Sequence, residues 1–435
     1  MIASEWRCEY ERLSGLVRRH EDWRAQCLNL CAAENAMSPE VRGMLCTDLA
    51  RRYGDYTGRD LRARRYFGCR EIADLEEAVA ALAMEVFGAR HVELRPISGH
   101  TAGNAVIMGL CQPGDLVLEL GRAAGGHRLA TKLASSSLVS LRVDYLPFDA
   151  AAFNVDVERT LHMVRDLRPR LVILGASNFL FPSPVRELAD GLRESSDTIL
   201  AYDVSHVLGL VAGGEFQHPL AEGAHIVLGG TQKSFPGPQG GLIYSNAESL
   251  MEAMGRTVHP ALISNHHLAR LPALGIALLE MKVWGGDYAR QVIRNAQALG
   301  SELAAQGVPV VAADRGFTAS HTVLVQTSPL GDAESLGHAL EEANVIVTAV
   351  CLPDELGGAG LRLGTAEITR RGMDESPMAS VAATIADVLL HRRPPDRVKA
   401  RVSLIAQQFP GYRYTLESAL GADVDGRCLN ATRRT

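Results

Sequence analysis

Two nearby stretches, TILAYDVSH (198–206) and AHIVLGGTQK (224–233), decide the fold of this chain. Each begins as a short, unbroken apolar run and ends in polar residues. Similar runs recur along the chain, at DLVLEL (115–120), LVSLRVDYLP (138–147), RLVILGAS (170–177) and GLIYSN (241–246). Helix-like pieces at 157–169 and 185–196 separate them. Apolar strands that alternate with helices are typical of a parallel sheet buried on both faces, so we predict an α/β fold with a mostly parallel central sheet flanked by helices.

The length of 435 residues suggests two or three folding units. We expect an N-terminal helical arm over 1–60, a large α/β domain over 61–285 and a smaller α+β C-terminal domain over 286–435. The C-terminal domain is predicted from a helix, a strand, a helix and two further strands, at 290–307, 321–327, 332–344, 345–353 and 360–369. Near the start of the large domain, apolar spacing predicts a helix from Glu71 that ends at Gly88.

Composition excludes several classes of protein. Hydrophobic residues make up 47% and charged residues 22%, which is ordinary for a globular protein and unlike a disordered one. The net charge of -6 and the 5% of aromatic residues argue against a nucleic-acid partner, which favours a basic surface and stacking side chains. No apolar run approaches the length that spans a bilayer, so no membrane partner is expected.

The cysteines are scattered and predict no structural site of their own. They lie at 8, 27, 31, 46, 69, 111, 351 and 428, without a CxxC pair or zinc-ribbon spacing. The charged N-terminus, MIASEWRCEYERL, lacks the apolar core of a signal peptide. We therefore expect reduced thiols and a cytoplasmic protein. The adjacent His266 and His267 have no third ligand at suitable spacing, so no metal site is expected. The arginine-rich stretch 40–70 is interpreted as a solvated face or an oligomer contact.

Polar residues follow the predicted strands at the points where they end. Asp203 and His206 close the first stretch quoted above, and Lys233 closes the second. Two further polar segments, SGHTAGN (98–104) and GGH (125–127), also follow predicted strands. Because ligands of open parallel sheets bind beyond the carboxyl ends of the strands, we expect these residues to lie around one site.

An aspartate and a lysine at two strand ends match the needs of a pyridoxal phosphate (PLP) enzyme. The lysine forms a Schiff base with the cofactor, and the carboxylate keeps the ring nitrogen protonated so that the ring accepts electrons. The Ser-Gly-x-Thr sequence at a helix start offers hydroxyls and backbone N–H groups to a phosphate. His127 is a candidate for a ring stacked on the cofactor. Each piece alone is a weak signal, whereas all of them in this order are much more specific.

Segments spread over nearly the whole chain resemble serine hydroxymethyltransferase and its relatives, which have PLP fold type I. They are LCAAENAMSP (30–39), RRYFGCREIADLEE (64–77), SGHTAGN (98–104), GGH (125–127), GASN (175–178), YDVSHVLGLVAGG (202–214), TQKSFPGPQGG (231–241) and LRLGTAEITRRG (361–372). The resemblance implies a homodimer or larger assembly with active sites at the subunit interface, acting on small amino acids.

The resemblance also implies roles for individual residues. Lys233 is the implied Schiff-base lysine, Asp203 the partner of the ring nitrogen, and His127 the ring stacked on the cofactor. The other implied cofactor contacts are Ser98, Gly99, His100, Thr101, Ser177, His206 and Gln232. Arg362 would bind the amino-acid carboxylate through its bidentate guanidinium, and the further implied substrate contacts are Glu34, Tyr53 and Tyr66. The acid–base candidates are Asp55, Glu34 and His127, which the sequence does not rank.

The sequence departs from the folate-dependent relatives mainly on the side of the one-carbon carrier. Asp55 stands where those enzymes carry glutamate, Phe67 where they carry a second tyrosine, and Gln232 where they carry histidine. Their glycine-rich loop is replaced by HPALISNHHLARLP (259–272), and the loop that contacts folate by TAVCLPDELG (348–357). Tetrahydrofolate is therefore a doubtful cofactor, whereas PLP is expected.

The replaced segment and GFTASHTV (316–323) resemble threonine transaldolases of specialised metabolism, which cleave L-threonine to acetaldehyde and pass the glycyl unit to another aldehyde. We therefore predict a PLP-dependent transferase that acts at the Cα–Cβ bond of a β-hydroxy amino acid, with an aldehyde acceptor. One alternative is folate-dependent hydroxymethyl transfer, to glycine or to alanine giving α-methylserine. Another is a non-catalytic PLP-fold protein, against which the joint presence of Lys233, Asp203 and Arg362 argues.

Overall fold

A computed structural model describes residues 2–136, 139–193 and 197–420 of the chain. Its α-helices are α1 (Ile2–Arg24), α2 (Pro39–Leu45), α3 (Arg70–Phe87), α4 (Gly99–Leu110), α5 (Leu129–Ala134), α6 (Val157–Leu167), α7 (Val185–Leu192), α8 (Leu208–Ala212), α9 (Glu248–Arg256), α10 (Arg270–Ala305), α11 (Ala333–Glu342), α12 (Ala366–Arg370), α13 (Met378–Leu389), α14 (Pro395–Gln407) and α15 (Leu416–Leu420). Its strands are β1 (Leu28–Asn29), β2 (His91–Glu93), β3 (Leu116–Glu119), β4 (Arg142–Tyr145), β5 (Phe148–Asp149), β6 (Asn154–Val155), β7 (Leu171–Leu174), β8 (Ile199–Asp203), β9 (Ile226–Gly230), β10 (Gly241–Ser245), β11 (Thr322–Gln326), β12 (Val345–Ile346), β13 (Thr348–Cys351) and β14 (Ala359–Gly364).

The chain divides into two compact units. The large unit comprises Ala33–Gln291 and the segment that begins at Tyr412, and the small unit comprises the chain up to Ala32 together with Val292–Gly411. Helix α1 therefore groups with the small unit. The division into 1–60, 61–285 and 286–435 that the sequence suggested stays a proposal about how the chain is organised.

The central sheet of the large unit has the strand order β2-β10-β9-β8-β7-β3-β4. From β9 to β4 the neighbouring strands are parallel, and β10 runs antiparallel to both β9 and β2. Strands β3, β7, β8, β9 and β10 are buried at every position, because helices cover both faces, whereas β4 is mostly exposed at the edge. The predicted α/β fold with a mostly parallel central sheet is confirmed.

The sequence signals that start and stop the helices have clear physical counterparts. Helix α3 ends at Gly88, whose φ of 60° is the left-handed conformation that glycine adopts without strain. Helix α4 begins after Ser98, whose hydroxyl oxygen accepts a hydrogen bond from the backbone N–H of Thr101. Helix α6 begins in the same way after Asp156, which caps the N–H of Arg159. These ends fix where the loops around the sheet begin.

Helix α10 runs 36 residues, from Arg270 to Ala305, and differs from the sequence prediction. The sequence pattern predicts a helix only from 290 onward, with a domain boundary at 285. The helix instead passes through Gly285, because the absence of a side chain there lets the segment around Gly213 pack directly on it. A β-carbon on Gly213 would lie 2.7 Å from the Cβ of Ala289, one turn further along the helix. The glycine pair therefore marks a close contact of backbones and not a break.

The small unit is built on an antiparallel sheet with the order β11-β14-β13. Its core includes apolar side chains of α11, α13 and α14. The prediction of one strand over 360–369 is wrong at its second half, since β14 ends at Gly364 and α12 follows. Thr365, the first residue after β14, donates its hydroxyl to the Val292 carbonyl (2.8 Å), and α12 begins at the next residue.

The arginine-rich stretch 40–70 is only partly the solvated face that the sequence predicted. Arg52 lies at the surface and pairs with Asp48. The Arg64 side chain, in contrast, is 4% exposed and pairs with the buried Glu76, while its guanidinium stands over the ring of Tyr56. Burial of an ion pair requires full compensation, which the carboxylate and the aromatic face supply. Among the described residues, no helix combines the length and apolar character needed to cross a bilayer.

Candidate active site

Asp203 and Lys233 leave adjacent parallel strands at the same edge of the central sheet. Asp203 is the last residue of β8 and pairs in register with Leu228 of β9, and Lys233 follows the end of β9 by three residues. The Asp203 carboxylate accepts a hydrogen bond from the N–H of Ser205 (2.9 Å), which fixes its orientation. The Ser205 hydroxyl accepts in turn from the N–H of Gly230 (2.9 Å). This bonding ties the turn after β8 to the end of β9.

His127 is close enough to both Asp203 and Lys233 to interact with them electrostatically. Its imidazole contacts the ring of His100 edge to face at 5.6 Å between centroids. Burial lowers the pKa of His127 to about 4, although the Asp203 carboxylate acts in the opposite direction. The ring is therefore neutral at physiological pH. A neutral aromatic ring suits stacking on a pyridine better than it suits carrying a proton.

The start of helix α4 brings several hydrogen-bonding groups to this edge. The Ser98 hydroxyl oxygen accepts from the backbone N–H of Thr101 (3.0 Å) and contacts the Thr101 hydroxyl (2.9 Å). A β-carbon on Gly99 would lie 3.0 Å from both the backbone nitrogen of Gly230 and the Ser205 hydroxyl. Glycine is therefore needed where the helix start meets the end of β9. Backbone N–H groups, hydroxyls and the positive end of the helix dipole converge there, as a phosphate requires.

The loops after β3 and β7 bring two more of the expected residues to the same edge. The backbone N–H of Ser177 donates to the Gly125 carbonyl (2.6 Å), which joins the GASN segment to the GGH segment. His206 follows Asp203 closely and is buried. His100 also belongs to this group, because burial lowers its pKa while Asp203 acts to raise it.

The loop that carries Lys233 is held rigidly. Thr231 donates its hydroxyl to the Pro238 carbonyl (2.5 Å), and its own carbonyl accepts from the N–H of Gly237. Gln232 has a buried Oε1 that bonds to none of the described residues. A side-chain acceptor next to the expected Schiff-base lysine is therefore available to a ligand.

Sequence reasoning missed the support behind Lys233. The Asn35 side chain donates to the Ser234 carbonyl (3.1 Å) and to the Tyr288 hydroxyl (2.8 Å), and that hydroxyl donates to the same carbonyl (2.8 Å). The ENxxSP-type segment thus reaches the lysine loop through Asn35, next to the expected substrate contact Glu34. The signal was present in the motif, whereas the bond across 199 residues was not readable from it.

Asp55 pairs with a residue that the sequence did not single out. The Nε2 atom of His259 lies 3.1 Å from Oδ2 of Asp55, and both side chains are largely buried. His259 is the first residue of the segment that replaces the glycine-rich loop. Tyr53, two residues before Asp55, contacts Tyr66, with ring centroids 5.1 Å apart. Each of the two side chains is about half exposed.

Arg362 belongs to the small unit, at the centre of β14, where it pairs in register with Leu324 and Thr348. The side chain is buried, and burial lowers the pKa of its guanidinium. Glu34 lies in the large unit and is half-buried. The described residues of the large unit therefore assemble the expected cofactor contacts, and the expected carboxylate-binding arginine is built into the other unit.

The residues at the sheet edge fit a PLP molecule. The acidic Asp203 and the amine of Lys233 both act electrostatically on the neutral His127 ring, and the turn at Ser98 meets the end of the same strand, β9. Aspartate for the ring nitrogen, lysine for the aldehyde and a helix start for the phosphate are the donor set that this cofactor requires.

Comparison with known proteins agrees with this assembly. The family model for serine hydroxymethyltransferase matches residues 9–385. The serine hydroxymethyltransferase of Methanopyrus kandleri is 41% identical over 411 residues, which is 93% of this chain and 95% of that protein. That of Thermococcus gammatolerans is 38% identical over 420 residues, 94% of this chain and 97% of that protein.

A solved structure extends the comparison to the fold. The L-threonine transaldolase from Pseudomonas fluorescens, in its internal aldimine state, matches with a TM-score of 0.90 at 30% identity, over 98% of this chain and 97% of that one. The predicted fold type I is thereby confirmed. With the family pattern matched over most of its length, the chain belongs to the serine hydroxymethyltransferase family of PLP-dependent transferases.

Proposed function

We propose that this protein transfers the glycyl unit of a β-hydroxy amino acid, with L-threonine as donor, to an aldehyde acceptor without using folate. The proposal is supported mainly by a contact between two positions at which the chain differs from the folate-dependent enzymes. Asp55, which replaces their glutamate, pairs at 3.1 Å with His259 of the segment that replaces their glycine-rich loop. The likeness to a solved L-threonine transaldolase over 98% of the chain also supports it.

The residues proposed to hold the cofactor are those gathered at the sheet edge. Lys233 would bind PLP covalently through Nζ, Asp203 would face the ring nitrogen, and His127 would lie against the ring. The phosphate and the remaining polar atoms would contact Ser98, Gly99, His100, Thr101, Ser177, His206 and Gln232. Bound PLP supplies an electron sink for the pair released when the Cα–Cβ bond breaks.

The substrate contacts are proposed from the residues that the family resemblance implies. Arg362 would hold the amino-acid carboxylate, since a guanidinium matches a carboxylate with two parallel hydrogen bonds. Its role would be to orient the Cα–Cβ bond for cleavage. In well-oriented systems, positioning of this kind lowers the activation barrier by about 7 kcal/mol or more. Glu34, Tyr53 and Tyr66 are the further proposed contacts, and Asp55 is the proposed site of proton exchange.

A homodimer is proposed as the working assembly. The half-exposed pair of Tyr53 and Tyr66 and the fully exposed Phe67 form an aromatic surface that a second copy would cover. Sedimentation of the purified holoprotein tests this, and mixing two inactive variants, Lys233→Ala and Tyr53→Ala, tests whether sites are shared. Recovered activity in the mixture supports a shared site, and a monomer in sedimentation contradicts it.

The second candidate function is folate-dependent hydroxymethyl transfer, to glycine or to alanine. Relatives that carry the name serine hydroxymethyltransferase favour it, because several of them are 36–41% identical to this chain, whereas the transaldolase is 30% identical. The two functions differ in the one-carbon carrier and in the acceptor, and both are tested in one experiment.

The experiment is incubation of the holoprotein with L-threonine in the absence of folate. Acetaldehyde is followed by a coupled alcohol dehydrogenase, and an aromatic aldehyde is then added as acceptor. The proposal expects acetaldehyde release and formation of a β-hydroxy amino acid from the acceptor, both lost in Lys233→Ala. Cleavage that occurs only with serine and tetrahydrofolate would instead establish the second candidate.

A further inference from the structure

His259 and Asp55 form a buried imidazole–carboxylate pair with a defined proton position. The side chains are 10% and 14% exposed, and Nε2 of His259 lies 3.1 Å from Oδ2 of Asp55. An ionised carboxylate only accepts hydrogen bonds, so Nε2 carries the proton and donates it. In the neutral imidazole the other ring nitrogen, Nδ1, is then an unprotonated acceptor, which is the tautomer of a histidine base.

The outward atoms of this pair have no protein partner. Nδ1 of His259 and Oδ1 of Asp55 are both buried, and neither bonds to any residue in 2–136, 139–193 or 197–420. Buried polar atoms are nearly always hydrogen-bonded, so a pair with two open positions indicates a group that is brought to it.

A purely structural pair in the same unit is arranged differently. Glu93 and Arg95 are buried even more deeply, and both carboxylate oxygens of Glu93 accept bonds from Arg95. Arg95 also donates to the carbonyls of Tyr56, Gly58 and Gly255. Complete satisfaction is what a stabilising pair requires, and the Asp55–His259 pair lacks it.

The segment that carries His259 is anchored to the segment that carries Asp55 at more than one point. The Asn265 side chain donates to the Arg52 carbonyl (3.0 Å). The ring of His266 contacts that of Tyr56 edge to face at 5.9 Å between centroids. The imidazole of His259 is therefore held against Asp55 by its surroundings, as a positioned proton acceptor must be.

We propose that His259 and Asp55 act as one proton-exchanging pair, in which Nδ1 of His259 takes the β-hydroxyl proton of the substrate and Asp55 positions the imidazole. The inference rests on the proposed cleavage of a β-hydroxy amino acid. The O–H bond breaks and an N–H bond forms on Nδ1. The two electrons of the O–H bond become the second C–O bond of the product aldehyde, and the two electrons of the Cα–Cβ bond stay with Cα. In the transfer direction the same proton returns to the oxygen of the acceptor aldehyde.

The pair explains how a shorter carboxylate serves this chain. Aspartate at 55 is one methylene shorter than the glutamate of the folate-dependent pattern, and the imidazole bonded to it extends the point of proton exchange. Among the charged groups near the pair and His266, Arg64 pairs with Glu76 and Arg95 with Glu93, whereas the buried Arg270 donates to the Leu94 carbonyl and has its pKa lowered by burial to about 10. His266, which lies within electrostatic range of His259, pairs with Glu76 and has its pKa lowered by burial, so it stays neutral.

The test compares His259→Gln, His259→Phe, Asp55→Asn and the double variant Asp55→Glu/His259→Phe as holoproteins. We expect His259→Gln to lower kcat by about 100-fold or more with KM nearly unchanged. Asp55→Asn should lower kcat as well, because an amide no longer fixes the tautomer. The kcat of the double variant should be about tenfold higher than that of His259→Phe, since the longer glutamate carboxylate reaches the position that the imidazole vacates. The same change at an exposed histidine, His338→Gln, is the control.

A readout independent of turnover comes from ¹⁵N NMR of histidine-labelled protein without cofactor. The pair predicts a His259 signal with the proton on Nε2 and a bare Nδ1, lost in Asp55→Asn. A proton on Nδ1, or a His259→Gln variant with wild-type kcat, would overturn the inference. If the wild type cleaves only serine with tetrahydrofolate, the proposed function fails, and the same variants assayed on serine still decide whether the pair exchanges the proton. Retained visible absorption of bound cofactor shows that each variant folds.

Discussion

The backbone of Gly175 packs directly against Asp203, so that a β-carbon on Gly175 would lie 2.7 Å from the Cβ of Asp203. Gly175 also has a φ of 136°, which side chains rarely adopt. Glycine at this position, at the end of β7, thus leaves room for the carboxylate at the end of β8. The contact places the GASN segment directly against Asp203, the proposed partner of the cofactor's ring nitrogen.

Substitution Gly175→Ala is expected to displace Asp203 and to weaken PLP binding by roughly tenfold or more, since strain and contact together cost about 1–3 kcal/mol. Titration of the cofactor-free protein with PLP, followed by visible absorption, measures the change. Gly114→Ala is the matched control, because Gly114 also has a positive φ (91°) but no atom within 4 Å of its β-carbon position. Equal loss of PLP affinity in both variants would contradict the role given to the contact.

The pKa of His127, lowered by burial to about 4, predicts part of the acid sensitivity of the protein. Between the ordinary histidine pKa of about 6.5 and pH 4 the unfolded chain binds a proton that the folded chain does not. The free energy of unfolding therefore falls as the pH drops through this window, and His127 adds no pH dependence above it. Urea unfolding of cofactor-free protein from pH 4 to 7 should show a shallower decline in His127→Phe. An identical slope in the two proteins would refute the assignment.

The Asn35 contact behind the lysine loop predicts a coupled loss of stability and activity. Asn35→Ala removes the bonds to the Ser234 carbonyl and to the Tyr288 hydroxyl. We expect about 1–2 kcal/mol less stability and a lower kcat, because the backbone next to Lys233 loses a support. Tyr288→Phe removes two bonds, the one from Asn35 and the one to the Ser234 carbonyl, whereas Asn35→Ala also removes the acceptor of the Ala36 N–H (2.8 Å), so Tyr288→Phe should have the smaller effect. Chemical denaturation and steady-state kinetics measure both, and a larger loss in Tyr288→Phe would argue against Asn35 as the main support.

The buried pair of Glu93 and Arg95 predicts a large effect of a small change. Glu93→Gln leaves the Arg95 guanidinium, 1% exposed, without its carboxylate. Loss of one partner of a buried pair typically costs about 3–5 kcal/mol. Urea denaturation of Glu93→Gln is compared with Glu9→Gln, which breaks an exposed pair with Arg12 and should leave stability unchanged. Similar midpoints for the two variants would contradict the structural role of the buried pair.

Local patterns in the sequence predict most of the large unit. Apolar runs identify β3, β7, β8 and β9, because every position of a strand that is buried on both faces favours an apolar side chain. Polar residues at the ends of these runs identify Asp203, Lys233 and the turn at Ser98, since the carboxyl ends of parallel strands share one edge.

Contacts between distant segments were not predictable in this way. Asp55 and His259 are 204 residues apart, and no periodicity encodes their pairing. The first turns of α10 were missed because Gly285 resembles a break, whereas it serves a close contact with the segment around Gly213. Arg64 lies in a run of arginines that resembles a solvated face, and only the fold reveals Glu76 beside it.

Identification of the residue that holds the cofactor is the decisive measurement for this site. The holoprotein is reduced with borohydride, which makes the bond between PLP and an amine permanent, and its peptides are analysed by mass spectrometry. We expect phosphopyridoxyl on Lys233 alone and none on the remaining lysines, Lys132, Lys282 and Lys399. Modification centred on any of these three, or a protein that takes up no PLP, would contradict the site described at the ends of β8 and β9.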